Sequence, residues 1–386
     1  MPTLDGRRVC LLKADIKRLV LKIGSSGLNH PQGGLNDAAL AEIVDLIVEL
    51  NSHGVECVLV SSGAVAAGMG QLGLTSRPSD VAGKQAAAAV GQGVLIEKYA
   101  QHFEKHGMVC AQVLLTRTDL ADVSRYRNAQ NTLERLLHFH VVPIINENDT
   151  VAVEELCFGD NDRLSALVAG LVHADLLVIL TDVDGLYTAN PKKDASARLV
   201  EEVQEVSEVM GMAGGVGSQL GSGGMITKIK AAEIATRFGI GMLLLNSVRM
   251  PELSGVLHGQ RPVGTYFVPS KHRLVGRKRW IAYGGLSEGS IIVDDGAARV
   301  LTEEGKSLLA KGITGIQGSW DRKELVRIVN SEGQEIARGL SELSSAEVER
   351  VKGLHSEQML KLISGLEGEE VVHRDNMTLM GEPGAR

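Results

Sequence analysis

The sequence predicts an α/β protein, with a mainly parallel sheet covered by helices on both faces and a small, mostly β domain after it. Three observations carry that expectation. Short apolar runs alternate with amphipathic stretches from residue 17 to about 250, the rhythm of strand–helix–strand units whose parallel pairing needs a crossover. Aromatic residues make up only 3% of the chain, while Ala, Val, Leu and Gly are plentiful, as in sheets sandwiched between helices. From about Arg277 the pattern changes to short β-rich runs separated by Gly, Ser, Asp and Asn, which reads as a second domain.

The elements follow in order. Leu19–Ile23 reads as a buried strand, and Leu40, Ile43, Val44, Ile47 and Leu50 mark one face of a helix that Asn36 would cap. Cys57–Ser61 is the next strand, then Val109–Leu115, a helix near Ser124–Phe139, a strand at Val141–Asn146, a helix from Asn161 and a strand at Leu176–Thr181. Residues 251–276 hold three prolines and four glycines and read as a connection. Beyond it, Arg279–Ala282, Ser290–Val293, Gly315–Gln317 and Leu325–Val329 read as strands, with a helix near Gly296–Leu309. The domain boundaries expected are an N-terminal extension over 1–16, a first domain over 17–270, a second over 277–372 and a tail over 373–386.

A chain of 386 residues is long enough for two or three domains with real cores. Its net charge of −7 gives no general attraction to nucleic acid or to an anionic membrane. Cys10, Cys57, Cys110 and Cys157 form no Cys-x-x-Cys pair, so free thiols in a reducing cytoplasm are expected. No apolar run approaches the roughly 20 residues of a membrane span. The apolar stretch near the N-terminus breaks at Lys13 and Asp15, unlike a signal peptide.

Five stretches carry candidate chemistry. Six glycines fall between Gly214 and Gly224, and the run passes into a helical pattern at Met225-Ile226-Thr227-Lys228. Glycines let backbone N–H groups face an anion, and the helix start adds partial positive charge. The spacing is not that of a Walker A loop, and glycine with serine would also make a plain surface loop. Lys22-Ile23-Gly24-Ser25-Ser26-Gly27 ends the first strand, where parallel sheets bind ligands, although a strand-end lysine also reaches solvent. Ser61-Ser62-Gly63-Ala64-Val65-Ala66-Ala67-Gly68 has the small residues either of an anion nest or of close packing. Asn146-Glu147-Asn148-Asp149 and Gly159-Asp160-Asn161-Asp162 form the densest polar cluster, more than a single helix cap explains. Thr181-Asp182-Val183-Asp184-Gly185 follows a buried strand as a turn or as a nucleotide contact.

Taken in this order, Lys22-Ile23-Gly24-Ser25-Ser26, Ser62–Gly68, Asn146–Asp149, Gly159–Ala166, Thr181-Asp182 and Gly223–Lys228 resemble the amino acid kinase family. Within it they are most similar to the branch that phosphorylates glutamate. The tail is similar to the PUA domain through Lys278-Arg279-Trp280-Ile281, Gly312-Ile313 and Val372-His373-Arg374-Asp375. Ser25 and Ser222 stand where that family often has threonine, and Asn246-Ser247 departs from its usual small segment.

The resemblance implies an amino-acid-kinase-like αβα sandwich and a PUA-like second domain. The implied reaction is ATP-dependent phosphorylation of the γ-carboxylate of L-glutamate to glutamyl 5-phosphate, the first step of proline biosynthesis, with Mg2+ beside ATP. Lys22, Asp162 and Lys228 match the catalytic set, in which a carboxylate orients two phosphate-stabilising lysines. Ser62, Asp149 and Asn161 match positions that hold glutamate. Lys22, Thr181, Asp182, Ser222, Gly223, Gly224, Met225, Ile226, Thr227 and Lys228 match the ATP site, and no residue is named as a metal ligand. A carboxylate with a pKa of about 4.3 is already ionised at neutral pH, so this chemistry needs no general base.

Proline as inhibitor, a downstream glutamyl-phosphate reductase as partner and a homo-oligomer, dimer or tetramer, are implied in the same way. The rival acceptors are N-acetylglutamate and aspartate. RNA binding by the tail is the rival of another class. Against it, residues 271–386 carry 17 Lys and Arg for 18 Asp and Glu, where RNA binding draws on a net positive face.

Overall fold

The computed structural model describes residues 16–30, 34–152, 161–191, 193–211, 224–257, 263–271, 273–274, 276–285, 287, 289–366 and 368–380. The chain divides into two units, Met1–Arg273 and Leu274–Arg386. The first contains, in order, β1 (Arg18–Ile23), α1 (Ser25–Leu28), α2 (Asp37–Ser52), β2 (Glu56–Ser61), α3 (Ala64–Gln71), α4 (Val81–Glu104), β3 (Cys110–Leu115), α5 (Arg117–Ala121), α6 (Val123–His138), β4 (Val142–Glu147), α7 (Asn161–Leu171), β5 (Leu176–Thr181), β6 (Glu202–Val203), α8 (Met225–Arg237), β7 (Gly241–Asn246), α9 (Leu253–Leu257) and β8 (Thr265–Phe267).

Eight strands form one sheet in the order β3-β4-β2-β1-β5-β7-β8-β6. From β3 to β7 every pairing is parallel, β8 runs antiparallel to β7, and β6 pairs parallel to β8. Parallel pairing brings the carboxyl ends of β1, β2, β4, β5 and β7 to one edge. The stretch read as a connection thus supplies α9 and the strand β8 to this sheet.

Local signals account for the elements. Asn36 accepts from Ala39 N–H at the start of α2, and Asp80 and Asp122 cap α4 and α6 in the same way, each satisfying a helix-end donor. In β1 every residue after Arg18 is buried, as expected of a central parallel strand. Leu19, Leu21 and Ile23 share a core with Leu40, Ile43 and Ile47 of α2 and with Leu95, Tyr99 and Phe103 of α4. Side chains alternate along a strand, so Val20 and Lys22 face the other side of the sheet, the side on which Lys22 meets α7.

Helices α3 and α4 cross closely enough to explain the small residues after β2. A Cβ on Gly68 would lie 1.8 Å from Ala87 O, and one on Gly91 would lie 1.8 Å from Ala64 O. Among the described residues, no helix is long and apolar enough to cross a membrane. Cys57 and Cys110 are free thiols, while Cys10 and Cys157 lie outside the described residues.

The second unit contains α10 (Arg277–Arg279), β9 (Gly289–Val293), α11 (Asp295–Glu304), β10 (Leu308–Leu309), β11 (Ile313–Gly318), β12 (Leu325–Val329), β13 (Glu335–Leu340), α12 (Ser345–Val351), α13 (Ser356–Leu362), β14 (Glu370–Val372) and β15 (Met377–Leu379). Five strands form a sheet in the order β11-β9-β12-β13-β15, and β10 pairs with β14. Two stretches of this unit depart from what the sequence predicts. Arg279–Ala282 is not a strand: α10 runs into a wide helical turn over Trp280–Gly284, closed by Gly285 N–H donating to Trp280 O at 2.9 Å. Ile281, Ala282 and Tyr283 are all buried, where a strand would bury alternate residues. The helix expected to reach Leu309 stops at Glu304, because Gly305 adopts φ 62°, a left-handed cap, and Leu308–Leu309 then pairs as β10.

Candidate active site

Lys22 is the penultimate residue of β1, Asp162 lies in the first turn of α7 and Lys228 in the first turn of α8. Their side chains meet. Lys22 Nζ lies 2.5 Å from Asp162 Oδ1, and Lys228 Nζ donates to Asp162 Oδ2 at 3.1 Å. Thr227 Oγ1 lies 2.9 Å from the same carboxylate oxygen and 2.7 Å from Gly224 O. The residues of Lys22, Asp162 and Lys228 are only 5%, 0% and 7% exposed.

An isolated charge so buried would cost several kcal/mol; here each charge has a partner. Burial works to raise the Asp162 carboxyl, but the positive charges of Lys22 and Lys228, with their hydrogen bonds, outweigh it and hold the group below the usual carboxylate range. Two ammonium groups on one carboxylate leave one positive charge over, the sign that an incoming polyanion requires.

Beside it lies a cluster of amides. Asn161 Nδ2, at the start of α7, lies 2.9 Å from Ser61 O, from Ser62 Oγ and from Asn146 Oδ1. Asn146 Oδ1 also accepts from Glu147 N–H at 2.9 Å. Asn146 Nδ2 donates to Gln92 Oε1 of α4 at 2.9 Å. Ser61 Oγ lies 3.0 Å from Tyr99 OH, and burial pushes that phenol up. Asp149 follows β4; burial raises its carboxyl, opposed by the charge of Arg77.

Across the sheet edge, Thr181 ends β5 with its Oγ1 3.2 Å from Asp182 Oδ1. Asn246 stands opposite Thr181 in register and donates from Nδ2 to Asp184 Oδ1 at 2.8 Å. This residue, which departs from the family's usual segment, ties the loop after β5 to the end of β7. Gly224 precedes α8, whose first turn holds Met225, Ile226, Thr227 and Lys228. Ser222, Gly223 and the rest of the glycine run, like Gly159 and Asp160, lie outside the described residues.

The comparisons with known proteins decide the family. Residues 17–246 match the model of the amino acid kinase family, and residues 289–363 that of the PUA domain. The chain belongs to the amino acid kinase family. It is 69% identical over 369 residues to the glutamate 5-kinase of Desulfitobacterium hafniense (strain Y51), covering 96% of this chain and 100% of that one. It is 47% identical over 376 residues to the glutamate 5-kinase of Moorella thermoacetica, covering 97% and 99%. Among solved structures, the carbamate kinase from Giardia lamblia bound to AMP-PNP is similar with a TM-score of 0.49 at 18% identity, over 66% of this chain and 99% of that one.

For this amino acid kinase, the geometry joins Lys22, Asp162, Thr227 and Lys228 in one cluster and Asn161 and Ser62 in a second that adjoins it through neighbouring residues of α7. Ser61 belongs to a stretch already marked in the sequence, but nothing in the sequence singles out Gln92 or Tyr99 as partners of these residues. Gln92 carries no local signal, lying mid-helix 54 positions before Asn146, and only the crossing of α4 over the sheet brings it there.

Proposed function

We propose that this chain transfers the γ-phosphoryl group of ATP to the γ-carboxylate of L-glutamate, forming glutamyl 5-phosphate. The observation that carries the reading is the buried Lys22–Asp162–Lys228 cluster at the carboxyl edge of a parallel sheet, in a chain whose relatives at 69% and 47% identity bear the name glutamate 5-kinase.

The geometry suits that chemistry. The acceptor is ionised at neutral pH, so the difficulty is to bring one anion to another and to stabilise the charge that moves during transfer. Asp162 fixes both lysines in place at the cost of only one of their two charges. Lys22 and Lys228 then offer ammonium groups to the phosphoryl oxygens in a site where burial strengthens the interaction. Ser62, Asn161 and Asp149 hold the glutamate, and Thr181, Asp182 and the Ser222–Lys228 segment hold ATP. When bound, Mg2+ would neutralise nucleotide phosphates. Among the described residues no group of three or more His, Cys, Asp or Glu stands ready to hold a metal, and Asp162 is already engaged by two lysines, so no residue here is assigned to it and no step is routed through it.

A coupled ATP assay with glutamate, N-acetylglutamate and aspartate tests the reading. Glutamate should be the acceptor turned over; turnover of N-acetylglutamate without turnover of glutamate would overturn it. By the same kinship, free proline is expected to inhibit, glutamyl-phosphate reductase to take the product, and the chain to work as a cytoplasmic homo-oligomer. Activity unchanged by saturating proline would remove the inhibitor from this account.

A further inference from the structure

We propose that Gln92 is a positioning residue for the acceptor, acting through the amide of Asn146 on the amide of Asn161; this rests on the reading of Asn161 as a glutamate-holding residue. The orientation of the amides follows from two backbone groups. Glu147 N–H can only donate, so the Asn146 atom 2.9 Å from it is the oxygen. Ser61 O can only accept, so the Asn161 atom 2.9 Å from it is the NH2 group. These two assignments agree, because Asn161 Nδ2 then meets Asn146 Oδ1 at 2.9 Å. The remaining Asn146 group is Nδ2, a donor, and what faces it at 2.9 Å must be the oxygen of Gln92.

Gln92 thus closes a chain of amides with one consistent direction. Without its Oε1, Asn146 Nδ2 would lose its acceptor, and the amide could rotate and take with it the oxygen that holds Asn161. In the observed arrangement Asn161 turns its NH2 toward protein acceptors, so its other side is an oxygen, which suits a donor such as the ammonium group of a free amino acid. The second polar atom of Gln92 supports a dedicated role. Its Nε2 is buried and has no hydrogen-bond partner among the described residues, a cost that a residue kept only for packing would avoid by being apolar. The seat of Gln92 is also enforced by its neighbour Gly91, whose missing side chain lets α4 lie against Ala64 and Gly68 of α3.

The test is the Michaelis constant for each substrate in two variants, Gln92→Met and Gln92→Glu, with the unaltered full chain measured first. Gln92→Met keeps the length and removes the acceptor; it should raise KM for glutamate roughly tenfold while leaving KM for ATP within about twofold. Gln92→Glu keeps an oxygen facing Asn146 Nδ2 and should restore most of the loss. A packing role gives the reverse order, since methionine is the volume-conserving apolar swap and the carboxylate is the disruptive one. A Gln92→Met chain with unchanged KM for glutamate, or a Gln92→Glu chain worse than it, would overturn the proposal. Melting temperatures of both variants separate misfolding from misplacement. If the unaltered chain turned over N-acetylglutamate instead of glutamate, the glutamate reading would fail, and the same comparison of variants on that acceptor would still decide the role of Gln92.

Discussion

Lys22 Nζ lies 2.5 Å from Asp162 Oδ1, in a place where one partner is 5% and the other 0% exposed. The contact joins the central strand of the sheet to the first turn of α7. It is one arm of a cluster whose other arm is Lys228, so the position of each lysine depends on the same carboxylate. The consequences differ for activity and for stability.

Replacing Asp162 with asparagine keeps the shape and removes the charge. Both lysines then lose the group that orients them, and kcat should fall by about 100-fold to 1,000-fold, the range seen when a preorganised electrostatic contact is lost. Steady-state kinetics with a circular-dichroism spectrum of the variant check this. Near-normal turnover would remove Asp162 from its assigned role.

On the proposed role, in which the ammonium group acts on charge that moves during transfer, Lys228→Met should lower kcat by a similar factor with a smaller change in KM for glutamate. It also leaves Asp162 with Lys22 as its remaining ammonium partner. A comparable rise in KM for glutamate with kcat intact would place Lys228 in acceptor binding instead.

Acid should weaken the first unit through Asp162. Its carboxyl is held below its ordinary value in the folded chain, so the stability it contributes is fully present above about pH 4, the unfolded value. That contribution is lost as pH falls from there through the lower folded value. Urea midpoints measured from pH 7 down to pH 3 should fall more steeply for the unaltered chain than for Asp162→Asn. Parallel curves would contradict the account.

Asp149 has the opposite sign. Burial raises its carboxyl in the folded chain, so above the unfolded value its ionisation costs stability. Asp149→Asn should therefore melt higher than the unaltered chain at pH 7, and the difference should close below about pH 4. The same variant should bind glutamate less well. A lower melting temperature at pH 7 would show that the carboxylate stabilises the fold.

Gly91→Ala should cost about 1–3 kcal/mol, since the added Cβ would meet Ala64 O at 1.8 Å and Gly68 N at 2.3 Å and α4 would have to move off α3. Chemical denaturation measures the loss. Stability within a few tenths of a kcal/mol of the unaltered chain would mean the crossing is looser than it stands here.

Much of this protein is local and therefore legible in one sequence. The strand at Leu19–Ile23 and the helix that Asn36 caps follow from hydrophobic period and capping chemistry, and the order of the polar blocks is enough to resemble a family. The errors are local too. Arg279–Ala282 has the composition of a strand yet folds as a helical turn, since burial of Ile281, Ala282 and Tyr283 together overrides the propensity. What only the tertiary structure decided is which residues meet. Parallel strands are joined by crossovers, so the order β4-β2-β1-β5-β7, and not distance along the chain, places Lys22, Asn146 and Thr181 at one edge. The crossing of α4 over that sheet brings Gln92 to Asn146. Long-range pairing depends on packing whole faces against one another, and that information does not reside in any single stretch of sequence.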